Sequence, residues 1–240
     1  MILIMSDIHG NLSALKAVIK DAKDKYNIDS IICVGDLIDY GMRSNEVIEY
    51  MDTLEIPILC NIYGNHEDSI MNEVYDRFSS ERGRECAIHT GKCLTIATRN
   101  YILKKMNPKG MQELMINGLR TLVVHGCMND PMWKAIKMED DCVEYCDYDL
   151  VISGHSHLPH IFEKYYKCEN SITRNKKKTI FMNPGSVGQP RNINNRAQYA
   201  VIGDGRRCLE SVAYNIAYEQ SLYNGSDVDI FYKDRLYTGI

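Results

Sequence analysis

Short apolar runs alternate with amphipathic stretches along the first quarter of the chain. Ile2-Leu3-Ile4-Met5, Ile31-Ile32-Cys33-Val34 and Pro57 to Tyr63 are continuous enough to be buried strands. Between them, Leu12, Leu15, Val18, Ile19, Ala22 and Tyr26 recur at helical spacing behind Asn11, a suitable N-cap. A second helix is predicted near Ser44 to Leu54. Strand, helix, strand, helix, strand implies a parallel sheet with helices packed on it.

The pattern then changes. Residues from Ser69 to about Asn107 are charged and helical in pattern, and mark 69–110 as a helical lid or cap insertion in a single domain spanning 1–240. Met111 to Ile116 and Leu119 to Val124, separated by Asn117-Gly118, predict a β-hairpin. A helix is expected over Trp133 to Cys146, then a buried strand at Leu150-Val151-Ile152-Ser153. Four more strands are expected over His160 to Tyr166, Thr179 to Met182, Tyr199 to Gly203 and Cys208 to Tyr214. A short helix or arm follows Asp227. The basic run Arg174 to Lys178 reads as a solvated hairpin loop.

Composition narrows the class. A chain of 240 residues, 45% hydrophobic and 25% charged, can bury a large core. A net charge of −4 advertises no broad nucleic-acid-binding surface, and no dedicated nucleic-acid-binding domain is expected. No apolar run approaches a membrane span, and the apolar start meets Asp7 at once without a basic leader. A cytoplasmic location without membrane association is therefore expected. Nine scattered cysteines, an odd number, favour reduced thiols over a disulfide framework.

Five polar clusters follow the apolar runs: Asp7-Ile8-His9, Gly35-Asp36-Leu37-Ile38-Asp39, Gly64-Asn65-His66-Glu67, His125-Gly126 and Gly154-His155-Ser156-His157. In parallel sheets, ligands gather at the carboxyl ends of strands. Imidazoles and carboxylates there suit a borderline metal. Residues two apart in an extended segment point the same way, so Asp7 and His9 can reach one ion. A carboxylate such as Asp36 can bridge two. Together the clusters hold enough ligands for a pair of divalent ions, a tool for attacking phosphate esters.

These motifs, in this order, resemble the calcineurin-like metallophosphoesterase superfamily, in particular its small bacterial and archaeal phosphodiesterase-type members. The stretch Asn183-Pro184-Gly185-Ser186-Val187-Gly188-Gln189-Pro190-Arg191 adds to the resemblance, which covers roughly Met1 to Tyr214. It implies an α/β fold, a four-layer αββα sandwich of two mixed sheets flanked by helices. It implies that Asp7, His9 and His157 hold one metal, that Asn65, His125 and His155 hold a second, and that Asp36 bridges them. The ions could be Mn, Fe, Zn, Ni or Co. His66 then matches the histidine that protonates the leaving oxygen, and Asp39 the carboxylate that orients it. A hydroxide between the metals would attack phosphorus in line.

Two branches of the superfamily place an arginine where this chain has Tyr40, which argues against a protein phosphatase. Arg191 and Arg43 are the candidates to grip the phosphate instead. His89 and His160 match no role. The expected activity is that of a phosphodiesterase on a small-molecule or nucleotide phosphoester, in an oligomeric state the sequence leaves open. A dinucleoside polyphosphate hydrolase and a non-catalytic interaction scaffold are the alternatives.

Overall fold

A computed structural model describes residues 1–169, 172 and 176–240. Two five-stranded mixed sheets face each other. In the first, β1 (Ile2–Met5), β2 (Ser30–Cys33) and β3 (Ile58–Asn61) run parallel. β9 (Ala197–Gly203) and β10 (Arg206–Val212) join antiparallel beside β1. In the second, β5 (Leu119–Val124), β6 (Leu150–Ser153) and β8 (Lys176–Asn183) run parallel, flanked by β4 (Met111–Ile116) and β7 (His160–Lys167).

The period of two along each strand divides the core. Ile4, Ile32 and Val34 point towards Val123, Ile152 and Met182 of the facing sheet. Leu3, Met5, Ile31 and Cys33 point outwards, where Leu15, Val18 and Ile19 of α1 (Leu12–Lys25) and Val47 and Met51 of α2 (Ser44–Asp52) cover them. With both faces buried, these strands read as continuous apolar runs rather than alternating ones.

Three helices occupy the segment after β3: α3 (Asn65–Asn72), α4 (Glu81–Cys93) and α5 (Ile96–Lys105). Ala87 of α4 and Tyr101 and Ile102 of α5 are buried in the same core as α1 and α2. Two short helices, α6 (Ile216–Ser221) and α7 (Ile230–Thr238), close the chain. Tyr232 and Leu236 of α7 pack with Tyr40 and Cys86.

Two expectations fail. No α-helix forms over Trp133 to Cys146; the segment is irregular apart from one 3-10 turn, Val143–Tyr145. Its buried residues Ile136, Cys142 and Tyr145 keep no helical spacing, and Cys142 takes a left-handed backbone with φ 58°. This loop, rather than a helix, covers the outer face of the second sheet through Cys142, Tyr145 and Tyr148. The basic run is not wholly a loop either: Lys176, Lys177 and Lys178 belong to β8, opposite Lys167, Tyr166 and Tyr165 of β7. Lys178 also pairs with Glu163 at 2.8 Å. Arg174 lies outside the described residues. Cys33, Cys60, Cys86, Cys93, Cys127, Cys142, Cys146 and Cys208 are free thiols.

Candidate metal centre

Every parallel strand of both sheets ends on one side of the sandwich, and the polar clusters follow those ends. Asp7 and His9 follow β1, Asp36 and Asp39 follow β2, and Asn65 and His66 open α3 after β3. His125 follows β5, and His155 and His157 follow β6. The backbone must turn sharply to aim these side chains inwards. Asp7, His9, Asp36, Asp39, Tyr40, His155 and His157 all adopt positive φ, seven of twelve such non-glycine residues among those described. Strain of this kind, of order 1–3 kcal/mol per residue, concentrates where function over-determines the backbone.

The turns are clamped from behind. Glu67 is fully buried and spans the nest of amides after β2. Its carboxylate accepts from Asp36 N (2.8 Å), Leu37 N (2.8 Å), Ile38 N (3.2 Å) and Gly64 N (2.9 Å). Burial first, then the charge of Asp36, pushes its carboxyl up to about 7 against those donors. Gly64 must lack a side chain, because a Cβ there would collide with the Asp36 carboxylate. The Asn183–Arg191 stretch wraps the end of β1: Ser186 Oγ donates to Asp7 O (2.7 Å) and Gly188 N to the same oxygen (3.0 Å). Asn11 caps α1 by accepting from Ala14 N (3.1 Å), and its Nδ2 donates to Gly188 O (3.1 Å).

Two donor groups converge. In one, Asp7 Oδ1 lies 3.2 Å from His157 Nε2, which lies 3.3 Å from His9 Nε2. In the other, Asn65 Oδ1 lies 3.2 Å from His125 Nε2 and 3.0 Å from His155 Nδ1. Asp36 Oδ2 stands between them, 3.7 Å from His9 Nε2 and 3.3 Å from His125 Nε2. The far nitrogens settle the tautomers. Nδ1 of His9 faces Ile38 O (3.2 Å), that of His125 faces Val34 O (2.7 Å) and that of His157 faces Gln189 O (2.5 Å). Each Nδ1–H is thus committed to a carbonyl, and each Nε2 is turned into the centre, the orientation that metal-ligating histidines require. Both Asp7 carboxylate oxygens are buried with no hydrogen-bond donor in suitable geometry. Buried carboxylate oxygens without donors are costly unless a cation meets them.

Charge tells the same story. Burial lowers His9, with the neighbouring His66 adding to it, and burial and His125 lower His155 to about 4. Burial and Arg191 lower His157. These three imidazoles are neutral and fit to ligate. His125 is the exception: burial opposes its proton, but the Asp36 charge carries it up to about 9, so a proton stands where a cation would displace it. The donor sets fit a pair of divalent ions. Stripping divalent metal with a chelator should therefore lower the melting temperature by roughly 5 to 10 °C, as a ligand present at about 100 times its Kd would stabilise a chain of this size. Scanning calorimetry with and without metal measures this, and an unchanged transition would contradict it.

His66 is held differently. Its Nδ1 lies 2.6 Å from Asp39 Oδ2, and Asp39 Oδ1 accepts from Thr90 Oγ1 of α4 at 2.6 Å. Its Nε2 points to the centre, 3.9 Å from Asp36 Oδ2. Burial opposes its charge, but Asp36 and the bond to Asp39 outweigh that and raise its pKa. Tyr40 packs on both kinds of histidine, with ring centroids 4.6 Å from His9 and 4.5 Å from His66.

A cavity of about 580 Å³ opens over this centre. Arg191, one of the two arginines expected to grip phosphate, lines it. Arg43 does not: it donates to Ser13 Oγ (2.7 Å) and pairs with Glu219 of α6. His160 faces its own neighbour Leu158 O, away from the cavity. Phe78, Trp133, Tyr232 and Arg235 also line the cavity, and no sequence motif marks them. They come from the segment after α3, the loop over the second sheet and α7, and none sits directly at the end of a parallel strand. Glu67 did carry a signal, since Gly64 and Glu67 have the spacing of a capping box.

The calcineurin-like phosphoesterase superfamily domain matches residues 1–203. The chain belongs to this superfamily and is a phosphoester-hydrolysing enzyme of a kind that uses divalent metals. An uncharacterised protein of Methanocaldococcus jannaschii is 31% identical over 236 residues, covering 93% of each chain. The crystal structure of a metallophosphoesterase from Sphaerobacter thermophilus is 28% identical, with a TM-score of 0.77 over 100% of this chain and 98% of that one. A hypothetical protein of Pyrococcus horikoshii shares the fold at 18% identity, with a TM-score of 0.79 over 100% of this chain and 99% of that one.

Proposed function

We propose that the protein is a dinuclear metal-dependent phosphodiesterase of small-molecule or nucleotide substrates, with His66 as general acid. The observation that carries this is the placement of His66: Asp39 holds one ring nitrogen, and the other faces the point where both donor groups meet at Asp36. In this reading Asp7, His9 and His157 hold one ion, Asn65, His125 and His155 the other, and Asp36 serves both. Bound there, the divalent ions supply an acidified water as nucleophile and neutralise phosphate charge.

The protein's own groups do the rest. Asp39 keeps the His66 imidazole oriented and protonated, Thr90 keeps Asp39 in place, and His66 Nε2 delivers its proton to the leaving oxygen. Arg191, in the wall of the same cavity, neutralises an outer phosphate oxygen. The 69–110 insertion acts as the lid, with Arg77 to Ser80 and Arg82 in the cavity wall. The cavity of about 580 Å³, walled by Phe78, Trp133 and Tyr232, has room for a second organic group on the phosphate, which favours a diester over a monoester. The metal-loaded enzyme should hydrolyse bis(p-nitrophenyl) phosphate with a kcat/KM at least tenfold above that for p-nitrophenyl phosphate. A preference for the monoester would reject the diesterase reading.

Asp39→Asn should act through the proton. The Asp39 carboxylate is one of the groups that raise the His66 pKa. Without its charge the imidazole loses its proton at lower pH, so the basic limb of the pH–rate profile moves towards acid. An unmoved limb with a poor leaving group would show that Asp39 does not serve the acid.

A further inference from the structure

Beyond the histidines, the cavity wall carries guanidinium groups that no acidic side chain neutralises. Arg82 on α4 and Arg235 on α7 lie on the ring of Phe231, with Cζ 4.2 and 4.3 Å from its centroid. Arg191 adds a third charge to the same wall, and its Nε is buried without a hydrogen-bond partner. None of the three ion-pairs with an Asp or Glu side chain among the described residues, whereas Arg77, across the cavity, is paired with Asp130 at 2.5 Å. Arg235 Nε donates at 2.9 Å to Ile240 O, a main-chain carboxylate oxygen that offsets part of its charge and leaves Arg82 and Arg191 without an anionic partner among the described residues. Burial first, then repulsion from Arg191, lowers its pKa to about 10. Like charges gathered this way in a half-closed cavity cost energy until an anion joins them.

These arginines are not all within reach of the reacting phosphorus. Tyr40 packs against His9 and His66, Tyr232 stacks on Tyr40 at 4.3 Å, and Arg235 lies beyond, 5.9 Å from the Tyr232 ring. That stack stands between Arg235 and the donor groups, while Arg191 lines the cavity together with His157 of the first donor group. The arginines therefore run from the reacting centre outwards along one wall. We propose that Arg82, Arg191 and Arg235 form a second anion subsite, so that the phosphoester hydrolysed here carries at least one further phosphate beyond the scissile one. The inference rests on the reading that the scissile phosphate sits where the two histidine groups meet.

The test is binding rather than turnover. Inorganic phosphate and tripolyphosphate are titrated into the metal-loaded full-length enzyme. The readout is the fluorescence of Trp133, the single tryptophan and a cavity-lining residue, with metal content checked after each titration. Tripolyphosphate should bind at least tenfold tighter than phosphate. In the Arg82→Gln/Arg235→Gln double variant that margin should fall below threefold. Arg84→Gln removes a charge from the same helix outside the cavity, where Arg84 pairs with Glu81, and should keep the margin. If the double variant does not fold, Arg82→Gln alone, an exposed position in the first turn of α4, should lose at least half of the margin. Equal binding of the two anions, a margin that survives in the double variant, or an equal loss with Arg84→Gln would overturn the subsite. Failure to hydrolyse bis(p-nitrophenyl) phosphate is a separate result, and bears on the phosphodiesterase reading alone.

Discussion

Asp36→Asn is expected to lower kcat/KM on bis(p-nitrophenyl) phosphate by about three decades, or about 4 kcal/mol of transition-state stabilisation. The substitution keeps size and an acceptor oxygen, so the bond that Asp36 Oδ1 accepts from His66 N at 3.0 Å can persist and the fold should hold. What it removes is the charge between the two donor groups. Asp36 Oδ2 is near both His9 and His125, at 3.7 and 3.3 Å. An amide oxygen is a far weaker partner for two dications, and its other atom is a donor that would face the His125 nitrogen. Metal analysis of the purified variant should show fewer than two ions per chain. A variant with two ions and a wild-type rate would refute the bridging role.

His66→Ala should cost two or more decades on an alkyl phosphodiester, within the range of general acid catalysis, while leaving metal content unchanged. His66 Nε2 is 3.9 Å from the Asp36 oxygen, but its Nδ1 is committed to Asp39, a carboxylate, whereas Nδ1 of His9, His125 and His157 faces a backbone carbonyl. A carboxylate partner keeps a ring protonated, and a carbonyl partner leaves the opposite nitrogen free to ligate. The loss should shrink on p-nitrophenyl esters, whose leaving group needs little help from a proton. Equal losses on both substrates, accompanied by lost metal, would make His66 a ligand instead of an acid.

The residues that meet at the centre were legible because they follow buried strands. A four-residue apolar run such as Ile2–Met5 fixes where β1 ends, and the chain can only place Asp7 and His9 just beyond it. Parallel pairing of β1, β2 and β3, and of β5, β6 and β8, then brings six strand ends to one side. The hairpin at Asn117-Gly118 was equally plain, since its turn residues sit between two alternating strands. The cavity walls were not legible. Trp133, Phe78 and Arg235 reach the cavity wall through tertiary packing of a loop, an inter-helix segment and a late helix, and no local periodicity records that meeting. The missing helix over Trp133 to Cys146 has the same origin: Ile136, Cys142 and Tyr145 are buried by the second sheet, not by a helical stripe. Arg43 looked free in the sequence, yet its partner Glu219 lies 176 residues away.

The most direct test titrates manganese(II) into chelator-stripped protein while following the initial rate of bis(p-nitrophenyl) phosphate hydrolysis at each metal-to-chain ratio. The two donor groups joined by Asp36 predict a rate that reaches its plateau at two equivalents. A plateau at one equivalent, or no hydrolysis at any ratio, would contradict a dinuclear phosphodiesterase.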